Sequence, residues 1–160
     1  MSATADRAIH VLHPGDVALA IAGERMETLL GSCVSIVLTD PRRTVGAMCH
    51  IVHSMERQGE GTAFARPALT AMMTLLRRRA IDARQCDAFV YGGGNMFPKL
   101  VQTRHVGQSN VDWAFDALGE LGIRILGHDV GGTCYRKVAW TVGRGAPTVE
   151  SGCPDEKEAA

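Results

Sequence analysis

The sequence predicts an α+β fold, layered β-sheets with two main helices packed on one side. Three observations predict it. Two β-like runs, Cys33 to Thr39 and Thr44 to Val52, flank the turn signal Asp40-Pro41-Arg42-Arg43. The stretch Arg66 to Ala80 carries Leu69, Met72, Met73, Leu76 and Ala80 at helical spacing. Short extended runs outnumber the helical segments. The alternating hairpin argues against a doubly wound parallel sheet, whose strands are buried on both faces.

In chain order, residues 1–8 read as a frayed start. Ile9 to Val11 and Asp16 to Ala20 are extended candidates around His13-Pro14-Gly15, and Glu27 to Leu30 leads into Gly31. Pro41 sits where its fixed φ suits the second position of a type I turn. Met55 to Thr62 is a polar loop. The first helix has Pro67 in its first turn, and its methionines read as core. Cys86 to Tyr91 is a buried strand that empties into Gly92-Gly93-Gly94-Asn95. Ser109 or Asn110 can cap a second helix carrying Val111, Ala114, Phe115 and Leu118, which Gly122 stops. Ile123 to Leu126 and Lys137 to Val142 are further strands, with a turn at Asp129-Val130-Gly131-Gly132 between them. Residues 1–143 form one domain, and the polar stretch 144–160 reads as a disordered tail.

Composition narrows the function. Hydrophobic residues make up 46% of 160, enough for a sizeable core. Seventeen basic residues balance seventeen acidic ones, so no net field draws nucleic acid or anionic membrane. Arg77-Arg78-Arg79 is a solvated helix end. No apolar run approaches a membrane span, and no secretory signal is visible. Five cysteines at irregular spacing, without CxxC, read as free thiols.

Geometry singles out Cys33. If the hairpin closes about the Pro41–Arg42 bond, Cys33 falls directly opposite His50, with Cβ atoms about 5 Å apart. Val34, Ile36 and Leu38 then share a core face with Cys49, Ala47 and Val45. Gly46, on the other face, leaves room. A thiol beside an imidazole is the core of a cysteine hydrolase. A one-residue slip would separate the pair.

Other motifs weigh less. The triple glycine lacks GxGxxG spacing and any following Lys-Ser or Lys-Thr. It reads as a positive-φ turn, or as backbone close enough to approach a substrate. Cys49 and His50 are adjacent on a strand and point to opposite faces, and His50 and His53 differ in parity, so no metal site is expected. The other histidines read as surface groups, and Asp129 as a turn carboxylate.

The segments LLGSCVSIVLTDP, VGAMCHIVH, YGGGNMF and GIRILGHDVGGTCYRKV, in that order, resemble the CheD family, the chemoreceptor glutamine deamidases of bacterial chemotaxis. The resemblance runs from about Gly15 to Val142. It implies a fold related to the catalytic domain of the cytotoxic necrotizing factor toxins. It implies a cytoplasmic protein-glutamine glutaminase that converts glutamine side chains of chemoreceptor cytoplasmic domains to glutamate and ammonia, without cofactor. A CheC-type phosphatase is the implied partner. Cys33 takes the position of the family's nucleophile and His50 that of its histidine. The family's threonine position holds Glu27, with Thr28 beside it, so either Thr28 serves to orient His50 or that role has changed. Gln108-Ser109 stands where the family commonly has a glutamate-arginine pair. Ser32, Gly93, Gly94 and Asn95 are the candidate substrate-binding positions. Two rival readings stand beside this one: a binding module that regulates CheC, and a cysteine hydrolase of another protein glutamine.

Overall fold

A computed structural model of the chain describes residues 7–55, 61–101 and 104–153. Most of the predicted frayed start, the middle of the Met55 to Thr62 loop and the end of the tail lie outside them. Three layers stack. One outer layer is a sheet of β1 (Ile9–Leu12), β3 (Arg25–Leu30), β8 (Tyr135–Thr141) and β9 (Thr148–Gly152), paired in that order. The middle layer is a sheet ordered β2 (Val17–Ile21), β5 (Val45–Cys49), β4 (Val34–Thr39), β6 (Asp87–Gly92) and β7 (Arg124–Val130). Helices α1 (Ala65–Arg77) and α2 (Val106–Glu120) cover the far side of the middle sheet.

Strand parity builds the two cores. Val34, Ile36 and Leu38 of β4 and Val45, Ala47 and Cys49 of β5 pack against Leu69, Met72 and Leu76 of α1 and Val111, Ala114 and Leu118 of α2. Val37 and Met48 face the other way, meeting Met26, Leu30, Val138 and Trp140 between the sheets. All of β4 and β5 is therefore buried, because this sheet is covered on both faces. Gly46 makes room for Trp140, whose ring would stand 2.5 Å from an added Cβ.

The hairpin register differs from the expected one by two residues. The type I turn forms, with the Arg43 N–H donating to Asp40 O at 2.9 Å. Arg43 then takes a left-handed φ of 59°. The Asp40 carboxylate accepts from the N–H groups of Thr44 and Val45 and from the Thr44 hydroxyl. That side-chain cap lengthens the loop, so Thr39 pairs with Gly46 and Val37 with Met48. A two-residue shift preserves parity. Cys33 and His50 keep a common face but stand diagonal to each other, about 7–8 Å apart between strand positions.

Other expectations need correction. The second helix starts earlier, at Val106, because the His105 ring rather than Ser109 or Asn110 caps it, accepting from the Gln108 N–H. The strand expected to stop at Leu126 runs to Val130 in parallel pairing with β6, so Asp129 is a strand residue that accepts from Arg136. Residues from 144 onward are not all tail: β9 pairs with β8 from Ala139↔Thr148 to Tyr135↔Gly152. Not all five thiols are free, since Cys134 and Cys153 form a disulfide, leaving Cys33, Cys49 and Cys86.

Candidate active site

Thr28 and His50 meet between the sheets. Parity in β3 turns Met26, Thr28 and Leu30 inward and leaves Arg25, Glu27 and Leu29 less covered. Glu27 therefore points away, its carboxylate 2.6 Å from Arg25 Nε. Thr28 is 2% exposed and lies beside Leu12 in the parallel β1–β3 pairing. Its Oγ1 stands 2.9 Å from Leu12 O and 2.7 Å from His50 Nδ1. A carbonyl only accepts, so the hydroxyl proton goes to Leu12 and the imidazole supplies the other bond from Nδ1–H. That leaves His50 Nε2 unprotonated, the form a general base requires.

His50 follows β5 directly. Its N–H donates to Asp16 O at 3.1 Å, and its carbonyl accepts from Gly15 N–H at 2.9 Å. The ring is buried. Burial pulls its pKa below the ordinary histidine value; the Leu12 carbonyl and the Asp16 charge oppose this in part, while His13 adds to it.

Cys33 ends the link between β3 and β4 and is half-buried. Burial pushes its thiol above the usual cysteine range. Burial thus acts on both groups in one sense, against the charged thiolate and against the charged imidazolium. The Cys33 carbonyl accepts from Gly93 N–H at 2.9 Å, and Gly31 O from Gly94 N–H at 3.0 Å. Among the described residues the Cys33 N–H makes no hydrogen bond.

The glycines allow this closeness. Gly92 has φ 106°, and an added Cβ would stand 2.2 Å from Cys33 O. Gly93, with φ 70°, packs where a Cβ would strike Val111 and Gly107 O. So the N–H groups of Gly93 and Gly94 brace the loop that carries Cys33. The Asn95 side chain organises its own turn, donating to Val101 O and accepting from Phe97 N–H. Ser32, Gly94 and Asn95 line one cleft of about 360 Å³ with Phe97 and Val106. A second, of about 380 Å³, lies on the other side of the start of α2, against His53, Met55 and Phe64.

Three contributors escape a reading of the sequence. The Leu12 carbonyl fixes the Thr28 proton, and no side-chain pattern announces it. Arg136 is 5% exposed and donates to Gly92 O and Gly131 O, holding the glycine turn from the outer sheet. Asn110 is 1% exposed and donates to Ser32 O and Val52 O. Its signal was available: it shares the stripe i, i+4, i+8 with Ala114 and Leu118, a polar residue on a buried face. Among the described residues no group of three or more His, Cys, Asp or Glu could hold a metal ion.

Fold and site together define a layered α+β protein with a cysteine at the rim, and a histidine inside, of the space between two sheets. The family model described as CheD chemotactic sensory transduction matches residues 51–151. A protein of Albidiferax ferrireducens named probable chemoreceptor glutamine deamidase CheD 2 is 36% identical over 141 residues, covering 84% of this chain and 82% of that one. A Methanococcus vannielii protein named probable chemoreceptor glutamine deamidase CheD is 33% identical over 141 residues, covering 86% and 92%. The chain belongs to the CheD family. A crystal structure of a Neisseria meningitidis protein of the DUF152 family shares the fold, with a TM-score of 0.50 at 10% identity over 86% of this chain and 76% of that one. No helix among the described residues is long and apolar enough to cross a membrane.

Proposed function

We propose that the chain is a protein-glutamine deamidase of chemotaxis, hydrolysing glutamine side chains on the cytoplasmic domains of chemoreceptors. The names of its relatives support the substrate. The observation that carries the chemistry is the Thr28–His50 contact, which holds Nε2 free on the face that His50 shares with Cys33.

In this mechanism His50 Nε2 takes the Cys33 proton as Sγ attacks the amide carbon. The oxyanion would accept from the Cys33 N–H, which makes no other hydrogen bond among the described residues. His50 then passes its proton to the leaving nitrogen, which departs as ammonia and leaves a thioester. Water, deprotonated by His50, attacks the thioester, and the product is glutamate with the thiol restored. The steps use the protein's own groups and water. Thr28 holds Nδ1–H throughout, so that Nε2 alone gains and loses the proton.

The test is to incubate the protein with a receptor cytoplasmic domain and follow glutamine-to-glutamate conversion by mass spectrometry. Conversion by the natural chain and none by Cys33→Ala or His50→Ala is the expected result. No conversion beside a His50-dependent Cys33 reactivity would point to another protein glutamine. No conversion beside an inert Cys33, with a CheC-type phosphatase bound, would replace the enzyme by a binding module.

A further inference from the structure

We propose that Asn110 is a positioning residue that sets the separation between Cys33 and His50. The inference rests on the reading above for the identity of that pair.

The hairpin alone does not fix the pair. Regular β4–β5 pairing covers Val37, Leu38 and Thr39, and then lapses. At Ile36 the N–H points to Cys49 Sγ at 3.4 Å instead of a carbonyl. Only the isolated bridge Val34↔Ile51 closes the end that carries the site. Cys33 and His50 flank that bridge on opposite strands, at the least regular part of the hairpin.

Asn110 supplies the missing tie. Its Nδ2 donates to Ser32 O at 3.2 Å and to Val52 O at 3.0 Å. Ser32 adjoins Cys33. Val52 lies two residues past His50 and, by the hairpin's register, opposite Cys33. One amide group therefore spans the two loops that carry the nucleophile and the base. Its orientation is unambiguous, because both partners are carbonyls that only accept. The helix behind it is held close: an added Cβ on Gly107 would stand 2.5 Å from Gly93 O. Asn110 comes one turn after this contact.

The side chain is a poor choice for stability alone. Asn110 Oδ1 is buried without a partner among the described residues, and an unpaired buried acceptor is destabilising. Leucine would fill a similar volume and remove that unpaired acceptor, while taking this donor from Ser32 O and Val52 O. A residue kept in a buried stripe despite its cost points to geometry as its role.

Alkylation by iodoacetamide tests this without any protein substrate. Cys33 modification is followed by peptide mass spectrometry against pH in the full chain, in His50→Ala, in Asn110→Leu and in the double variant. Circular dichroism and thermal melts check the fold. We expect Asn110→Leu to remain folded and to lose about tenfold in Cys33 alkylation near neutral pH, a modest part of a general base's usual effect. Its pH profile should match that of His50→Ala, and the double variant should be no slower than His50→Ala alone, because both changes break one interaction. Asn110→Ser, which keeps one donor, should lose less. A folded Asn110→Leu with the natural rate and profile, or a loss that adds to that of His50→Ala, would overturn the inference. Failure of both the Leu and Ser variants to fold would make Asn110 a structural brace and overturn it too. A His50→Ala protein that alkylates normally would refute the pair itself. Intact His50-dependent alkylation without receptor deamidation would refute only the proposed substrate.

Discussion

Replacing Thr28 by valine isolates one bond of the proposed mechanism. The side chain keeps its shape, so packing between the sheets changes little. Two groups lose their partner: Leu12 O its donor and His50 Nδ1–H its acceptor. A buried polar group left unpaired costs about 1–3 kcal/mol. For folding, that falls within the total of about 5–15 kcal/mol typical of a domain, so the variant should fold with a lower melting temperature. For catalysis, the same about 1–3 kcal/mol is lost from the tautomer that leaves Nε2 free, and kcat should fall about 5- to 150-fold. KM should stay near its natural value, because Thr28 is too buried to touch a substrate. Time courses of receptor deamidation read both constants. Thr28→Ser keeps the hydroxyl and should recover most of the rate. Glu27→Gln, which disturbs only the Arg25 contact, should have no effect. A folded Thr28→Val enzyme at full kcat would show that the Thr28–His50 bond does not serve the reaction.

Further predictions follow from the same geometry. His50 is held below its ordinary pKa, so the base is already neutral at neutral pH, and the acid limb of kcat/KM should lie below about pH 6.5. The depressed value also means that His50 contributes stability above its unfolded pKa and loses it as pH falls through the folded one; acid melts of the natural chain against His50→Gln should show the larger loss in the natural chain. Burial pushes Cys49 and Cys86 up to about 12, so peptide mapping after mild alkylation should find Cys33 modified well before either. Gly92→Ala should cost about 1–3 kcal/mol from its φ alone and displace Cys33 through the clash with its carbonyl, whereas Gly119→Ala, exposed with open space in α2, should raise stability by about 0.5–1 kcal/mol and leave turnover unchanged. The Cys134–Cys153 disulfide joins residues 19 apart, and loop entropy assigns it about 3 kcal/mol, so Cys153→Ser should lower the melting temperature measurably.

The sequence made parity legible and left register hidden. Apolar spacing identified α1, and alternation identified β4 and β5 and their shared faces. The two-residue shift came from Asp40, whose carboxylate takes two backbone donors that a shorter turn would leave to the ladder. A turn signal of Asp-Pro reveals the bend but not which side-chain bonds extend it. β9 stayed hidden because its residues are mostly exposed and polar; it forms by pairing with β8. The choice between Glu27 and Thr28 was open in the sequence because both lie at nearly the right distance from Cys33. Alternation through Met26, Thr28 and Leu30 decides which of them faces inward, and that needs the outer sheet to exist. Asn110 was hidden for a related reason. A polar residue in an apolar stripe is visible, but its partners, Ser32 O and Val52 O, are backbone groups from distant segments.

The layered fold bears directly on how the thiol is activated. Thr28, Leu12 and His50 meet only because two sheets close over them, and the same closure removes the water that would stabilise an imidazolium. Burial therefore acts on both members of the pair in the direction of neutrality, raising Cys33 and lowering His50. A resting ion pair would need a compensating charge near the ring, and the Asp16 contribution only partly offsets burial. In the proposed mechanism the pair then works by the logic of a serine hydrolase rather than as a preformed thiolate. In the proposed mechanism proton transfer and nucleophilic attack then occur together, when an amide carbonyl lies within reach of Sγ. On that mechanism the distance from Sγ to Nε2 governs turnover, with burial weakening any standing charge attraction between the two groups. A mechanism that relies on neutral partners needs their separation fixed by other means, and on the reading proposed above the Thr28 bond, the glycine turn and the Asn110 bridge are those means.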